Sequence, residues 1–555
     1  MQASLRYREI FFGKEREETM WRNPQFVILM LAIAMIPVRL LQGAESGGSI
    51  GGVVKNPSGE PAAGALVRVK SAERGLTRTV ISQERGRYNA SNLPPGKYTV
   101  QSVGGGLQSN GATVEVDGNR SATLNLDLTA PAEFKKTASM IEFAAVMPEG
   151  EGKDTILSIC THCHMNGLQE ILLSRKSREG WLESIAKMEN RPYGFNESLR
   201  ISERQREVVS DYLTKNYGPD APPLDPGKLP KTWVKGAAVK SVITEFSVTA
   251  GAFPHDVAVD SKGVGWVSEN RHGFLGRFDP NAHAYTRIPL PGGKSTPSPS
   301  SVAVDLQDRV WVSDGNNNRI VQYDPKTSAF TVYPIPAGPN GERKNLNTIR
   351  FHPDGTVWAT EIGANQILRL DPATKKVAEY PVPSGVLAKR NTLPYGMAID
   401  GNKFLWFIES IAEKVGKVNP VTGEITEFEI PTKGAIPHRM AADADGNLWF
   451  GEAGGVGQLG MIDYRTGKIT EYPTPTKYSG AYSIDVDRTR NLIWVDEMIA
   501  DQIARFDPRT KNWVEYPVPT RYSSIRRIEV DPSRPNRVWF SGSHKDTVGY
   551  IDVIE

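Results

Sequence analysis

Two cysteines in 555 residues exclude a disulfide scaffold. Charge of one sign is missing as well: 66 basic residues stand against 63 acidic ones, so no global positive field favours a nucleic-acid partner. The apolar run Phe26 to Val38 (FVILMLAIAMIPV) falls short of the roughly 20 residues that span a bilayer. Its length is that of a signal-peptide core, and it lies between Arg22 and the small residues Gly43 and Ala44. Residues 1–44 therefore read as an export signal or an uncleaved membrane anchor, with Met20 as an alternative start. A buried core helix is the structural alternative. An export signal places the chain in the periplasm or outside the cell.

What the chain does contain is strand pattern. Residues 48–130 carry short alternating runs (SIGGVV, GALVRVK, TRTVISQ, GKYTVQSV, ATVEV) broken by Asn-Pro-Ser-Gly and Leu-Pro-Pro-Gly, which predicts a small antiparallel β-sandwich. The residues Ile50, Gly52, Val54, Gly64, Ala65, Val67, Gly86, Tyr88, Leu93, Pro94, Gly96 and Tyr98 follow an order that resembles the carboxypeptidase regulatory-like domain. They are turn glycines and core residues, with no acid, base or metal cluster among them.

From 140 to 217 the texture turns helical, with Ser202 and Gln205 forming a capping box ahead of an amphipathic run. A proline-rich linker follows over 218–242.

Everything from 243 to 555 repeats. The segments DVAVD at 256, SVAVD at 301, TIRFH at 348, GMAID at 396, RMAAD at 439, SIDVD at 483 and RIEVD at 527 recur every 43 to 48 residues, each followed by a Trp-bearing strand. Seven such units predict a seven-bladed β-propeller. The last unit ends after its third strand while ITEFSV at 243 is a fourth strand without a blade, so the N-terminal strand is expected to close the ring. The fold class expected is mainly β: a seven-bladed propeller, an N-terminal sandwich and, around CTHCH at 160–164, a small all-α haem domain.

That haem domain rests on CTHCH at 160–164, which is the attachment motif of c-type haem. Cys160 and Cys163 add to the haem vinyl groups and His164 ligates the iron, one helical turn directing all three to one edge of the macrocycle. A zinc site would need a second ligand pair, and a redox CxxC a βαβ context. The order CTHCH, then Trp181 with Met188 seven residues on, then a capped helix, resembles small monohaem cytochrome c domains. The resemblance implies Met188 as the second axial ligand, against the plain reading of a core methionine.

Two sets of residues converge at one end of the propeller, because neighbouring strands in a blade are antiparallel. The residues just before each first strand are His255, Ser300, Asn347, Tyr395, His438, Tyr482 and Arg526. Those three after each Trp are Glu269, Asp314, Glu361, Glu409, Glu452, Glu497 and Gly542. Six carboxylates stacked near the axis would repel one another unless a cation such as Mg or Ca, or a cationic substrate group, relieved them. The structural alternative has them bound to backbone amides and arginines between blades.

The blade sequence P-H-x-x-A, L-W-F-x-E, I-G-x-I and G-x-I-T-E-F-x-I-P resembles the virginiamycin B lyase family. That resemblance implies ring opening of a cyclic depsipeptide by elimination, with His438 or His255 as base and Glu452 or Glu269 as metal or substrate partner. Phe253 and Ile436 stand where the family pattern has glutamate. The leading expectation is an exported c-type haem protein passing electrons between the haem and a redox partner protein or a small-molecule substrate at the propeller mouth. A metal-assisted carbon–oxygen lyase and a cell-envelope binding module are the alternatives.

Overall fold

The computed structural model describes residues 47–118, 120–131, 138–161, 168–189, 201–389 and 391–554. The expected signal or anchor, together with Cys163 and His164, lies outside the described residues. Among the described residues no helix is long and apolar enough to cross a membrane.

The N-terminal region forms nine strands, β1 (Gly48–Lys55), β2 (Leu66–Ser71), β3 (Leu76–Ile81), β4 (Arg87–Leu93), β5 (Gly96–Gly104), β6 (Leu107–Ser109), β7 (Ala112–Val116), β8 (Ser121–Thr123) and β9 (Leu126–Thr129). Ile50, Val54, Val67, Tyr88, Tyr98 and Leu128 fill its core. The Tyr98 hydroxyl donates to the Pro94 carbonyl at 2.7 Å and that of Tyr88 to Leu124 at 2.7 Å, so the aromatic cores also tie down the turns. The expected all-antiparallel arrangement needs correcting, because β8 and β9 run parallel to β1. Alternation fixes which face a side chain takes, not which way a strand runs.

Among the described residues five α-helices follow: α1 (Met140–Ala145), α2 (Glu151–Thr155), α3 (Leu168–Leu172), α4 (Arg178–Glu189) and α5 (Glu203–Tyr217). Ser202 caps α5 as its sequence requires, accepting from the Gln205 amide at 3.2 Å while Gln205 Oε1 accepts from the Ser202 amide at 2.8 Å. The core these helices form is shared with the propeller. Ile499 and Tyr522 of the propeller belong to the same apolar cluster as Phe143, Leu168, Trp181 and Leu213.

Six four-stranded antiparallel sheets stand as separate blades, spanning 254–289, 299–334, 346–381, 394–429, 437–473 and 481–517. Seven separate blades were expected. The last four strands, Ile525–Val530, Arg537–Gly542, Thr547–Val553 and β10 (Ser241–Ser247), pair in that order, but β10 also pairs with β3, so they run on into a 13-stranded sheet with the N-terminal region. The outer edge that the other blades leave open is here covered.

One sequence feature recurs in every blade but the sixth, whose Trp494 indole has no acceptor among the described residues. The acid ending a first strand receives the indole N–H of the Trp on the second: Trp266 to Asp260 at 3.1 Å, Trp311 to Asp305 at 2.8 Å, Trp406 to Asp400 at 2.8 Å, Trp449 to Asp443 at 2.9 Å and Trp539 to Asp531 at 3.2 Å. Where His352 replaces the acid, Thr356 takes the indole of Trp358 at 2.9 Å. The bond satisfies a donor that is otherwise buried among aliphatics.

Candidate active site at the propeller mouth

Every first strand carries a register shift near its start, as between Pro254 and Val257 or Pro437 and Met440. A bulge of this kind frees two consecutive residues from the ladder and re-aims them. A hydroxyl from the second strand satisfies the displaced amide: Ser268 Oγ accepts from Asp256 at 2.9 Å, Ser313 from Ser301 at 2.9 Å and Thr360 from Thr348 at 3.1 Å. In the sixth blade Asp496 takes this position and accepts from the Ser483 amide.

The bulges put His255 with Asp256, and His438 with Arg439, at the channel axis. His255 Nδ1 lies 2.9 Å from Asp256 Oδ1, and Asp256 Oδ1 accepts from Arg439 Nη2 at 2.6 Å, linking blade one to blade five across the channel. Arg439 is fully buried; it also donates to Thr348 Oγ1 at 3.3 Å and lies 5.1 Å over the Tyr395 ring. Burial pushes the Asp256 carboxyl up, but Arg439 and the His255 contact outweigh it and hold it down at about 2. Burial, followed by the field of Arg439 and Arg526, depresses His255 despite its carboxylate neighbour.

His438 Nδ1 lies 2.9 Å from the Ile436 carbonyl, which can only accept. In the neutral ring this contact places the proton on Nδ1, which makes Nε2 the basic nitrogen. The ring is 4.4 Å from that of Tyr482 and 5.4 Å from that of Tyr395, whose hydroxyls meet at 2.6 Å. Ile436 holds φ at 44°, a left-handed conformation costly for a β-branched residue, which turns its carbonyl onto the imidazole.

The six predicted carboxylates occupy the same end of the blades but turn away from the axis, toward the third and fourth strands and the neighbouring loops. Glu269 pairs with Arg287 at 2.6 Å and accepts from Tyr285 at 2.9 Å; Asp314 pairs with Arg319 at 2.8 Å. Glu361 has Lys344 at 3.8 Å, Glu409 accepts from Ser384 at 2.9 Å and Glu452 from Gln458 at 3.2 Å. Burial, then the carboxylates Glu379, Glu427 and Glu471, raise Glu361, Glu409 and Glu452 to about 8 each. Burial and Glu515 raise Glu497. No cluster of three or more metal-binding side chains occurs among the described residues. The sequence located the correct end of the blades and missed the side-chain direction. It also missed Asp256, Arg439 and Asp496, whose signal was their place within or beside the bulge.

Cys160 and Met188, the described members of the expected haem site, line one cavity of about 180 Å³ with Ile156, Trp181, Ile185 and Leu213. The helices around it are seated on the propeller mouth. The Tyr522 hydroxyl donates to the Ala138 carbonyl at 2.7 Å, and Tyr478 donates to Asp154. Tyr478, Ile499 and Tyr522 all lie in loops at the end where His438 sits.

Residues 298–555 match the virginiamycin B lyase family and residues 49–129 the carboxypeptidase regulatory-like domain. A comparison with curated proteins returns no match. Among solved structures, virginiamycin B lyase from Staphylococcus aureus is 24% identical with a TM-score of 0.50, covering 57% of this chain and all of its own. A streptogramin B lyase is 23% identical with a TM-score of 0.51, covering 58% of this chain and 100% of that one. The propeller thus shares the fold of these lyases.

Proposed function

We propose that the protein is a carbon–oxygen lyase of the virginiamycin B lyase type, working at the propeller mouth with His438 as its base. The observation that carries this reading is the bond from His438 Nδ1 to the Ile436 carbonyl, which presents Nε2 as the proton acceptor. His438 also lies within the matched span 298–555, whereas His255 does not. In such a step Nε2 takes a proton from the carbon next to the one bearing the ester oxygen. That electron pair becomes the C=C bond, the C–O bond breaks, and the acyl oxygen leaves as a carboxylate. Elimination leaves the mass of a cyclic depsipeptide unchanged, whereas hydrolysis adds one water. Mass analysis after incubation with such a peptide, using the protein and its His438→Ala variant, tests the reading.

The second reading, an exported c-type haem protein with electron transfer at the mouth, is favoured by the cavity that Cys160 and Met188 share. Its walls are apolar at Ile156, Trp181, Ile185 and Leu213 and polar at Glu170, Ser174, Lys176 and Ser184, and its two sulfur donors suit a haem thioether and an axial ligand; bound there, haem would supply one-electron chemistry. A porphyrin is larger than this cavity and would have to part its walls. The two readings are compatible, since the helices sit on the mouth. Neither the magnesium implied by the family resemblance nor the Mg or Ca suggested by the six carboxylates fits the mouth well: Glu269, Asp314, Glu361, Glu409, Glu452 and Glu497 turn outward, and Phe253 and Ile436 bring no oxygen side chain.

A further inference from the structure

A cleft of about 480 Å³ opens at the mouth end of the propeller between blades three and four, and none of its lining residues belongs to the site around His438. One side is the loop joining the second and third strands of blade three, with Ala364, Asn365 and Gln366; the other is α6 (Pro383–Ala388), whose Val386 lines the cleft. The connection carrying α6 is held by both blades. The Val382 amide donates to the Asn365 carbonyl at 3.1 Å, while the Ser384 amide donates to Glu427 and its hydroxyl to Glu409, each at 2.9 Å. The cleft is therefore formed before any ligand arrives, which lowers the ordering cost of binding. We propose that it binds a short peptide segment bearing an aliphatic side chain, with the peptide group on the Gln366 carboxamide and the side chain against Val386. The proposal goes beyond the lyase reading and does not depend on it.

Gln366 opens the third strand of its blade, opposite Glu361 in register. Long polar side chains at this position in other blades are committed within the propeller: Arg319 to Asp314 at 2.8 Å, Lys414 to Glu429 at 3.2 Å and Gln458 to Glu452 at 3.2 Å. Blade three carries the same Glu–Gln pair as blade five, yet neither Glu361 oxygen accepts a hydrogen bond, and Gln366 Oε1 is shut from water without a partner. No other hydrogen bond to the Gln366 side chain occurs among the described residues. A buried acceptor left unbonded carries a desolvation cost that a ligand N–H would offset. The terminal torsion of glutamine is two-fold, so the group can offer its oxygen or its NH₂. A peptide group, with one donor and one acceptor, matches it either way.

The rest of the lining selects the same ligand. Val386 and its neighbour Leu387 are 59% and 83% exposed, adjacent apolar side chains on α6. With Ala364 and Pro381, Val386 gives the cleft an apolar side that an aliphatic group would cover. Among the described residues no aromatic ring lines the cleft for a sugar to stack on, and Lys389 is its one charged lining group, too little for a polyphosphate. An uncharged amide beside an apolar wall is the complement of a neutral peptide.

The test is photo-crosslinking of the full-length protein with acetyl-leucyl-photoleucine amide, a blocked dipeptide whose diazirine labels its neighbours on illumination, followed by peptide mapping. Saturable labelling within 363–389 is expected, displaced by acetyl-leucyl-leucine amide and not by cellobiose or pyrophosphate, and retained in His438→Ala. Gln366→Leu should raise the concentration for half-maximal labelling about tenfold, the loss of one buried amide contact. The same substitution should raise the thermal midpoint, because it removes an unbonded buried oxygen. Val386→Asp, on an exposed helix face, should weaken labelling several-fold, which keeps the test valid if Gln366→Leu fails to fold. Labelling that does not saturate, that maps only outside the cleft, that cellobiose or pyrophosphate displaces, or that neither substitution moves would each overturn the proposal. Labelling at the cleft of a protein that opens no depsipeptide would sink the lyase reading and leave this one standing.

Discussion

Asp256 and Arg439 meet across the propeller channel at 2.6 Å, with 1% and 0% of their side chains exposed. They come from blades one and five, 183 residues apart in sequence, and tie the two bulged strands that present His255 and His438. Removing one partner strands a buried charge, so Asp256→Asn or Arg439→Met should cost about 3–5 kcal/mol. The double variant should lose less than the sum, which denaturant titration of all four proteins measures. The Asp256 carboxyl, near 3.9 unfolded and about 2 folded, contributes stability above the higher value. That contribution is lost as pH falls from about 4 toward 2.

Three buried glutamates act with the opposite sign. Glu361, Glu409 and Glu452 keep their protons to about 8 in the folded state, whereas an unfolded glutamate releases its own near 4.3. Stability should therefore fall as pH rises from about 4.5 to 8. Replacing any one of them with glutamine should flatten that slope and raise stability at pH 8 by roughly 1 kcal/mol or more per site, and the thermal midpoint with it. Thermal melts at pH 5 and pH 8 read this directly.

The helices should loosen from the propeller when Tyr522 is replaced by phenylalanine. The Ala138 carbonyl then loses the donor it has at 2.7 Å, at a cost of about 1 kcal/mol. Limited proteolysis should cut within 138–217 sooner than in the native chain, with the propeller fragment left whole; identical cleavage rates would show that the contact carries no weight.

Expression with export and haem-attachment machinery tests the second reading. Haem should stay with the denatured polypeptide, be lost or reduced in Cys160→Ser, and show an altered reduced spectrum in Met188→Ala. Protein without covalently attached haem would remove that reading.

The sequence made the architecture legible wherever a residue type does one job repeatedly. The recurring first-strand segments, each followed by a buried Trp, marked the blades, and Ser202 with Gln205 marked the start of α5. The merging of the last four strands with the N-terminal sheet was hidden, because β10 carries the same alternating pattern whether its outer edge meets water or β3. The site was half legible. Position within the repeat placed His255 and His438 at the mouth, but the bulge that turns Asp256 and Arg439 toward the axis leaves no compositional mark. Glu452 and its equivalents sit at the right height and face the outer strands and loops, a direction set by strand pleat.

The most direct measurement of the central claim is the product of a cyclic depsipeptide incubated with the purified protein and with His438→Ala. A ring-opened product of unchanged mass, formed at least about 100-fold more slowly by His438→Ala, is the result expected if His438 is the base. A product heavier by one water, or equal rates from the two proteins, would contradict it.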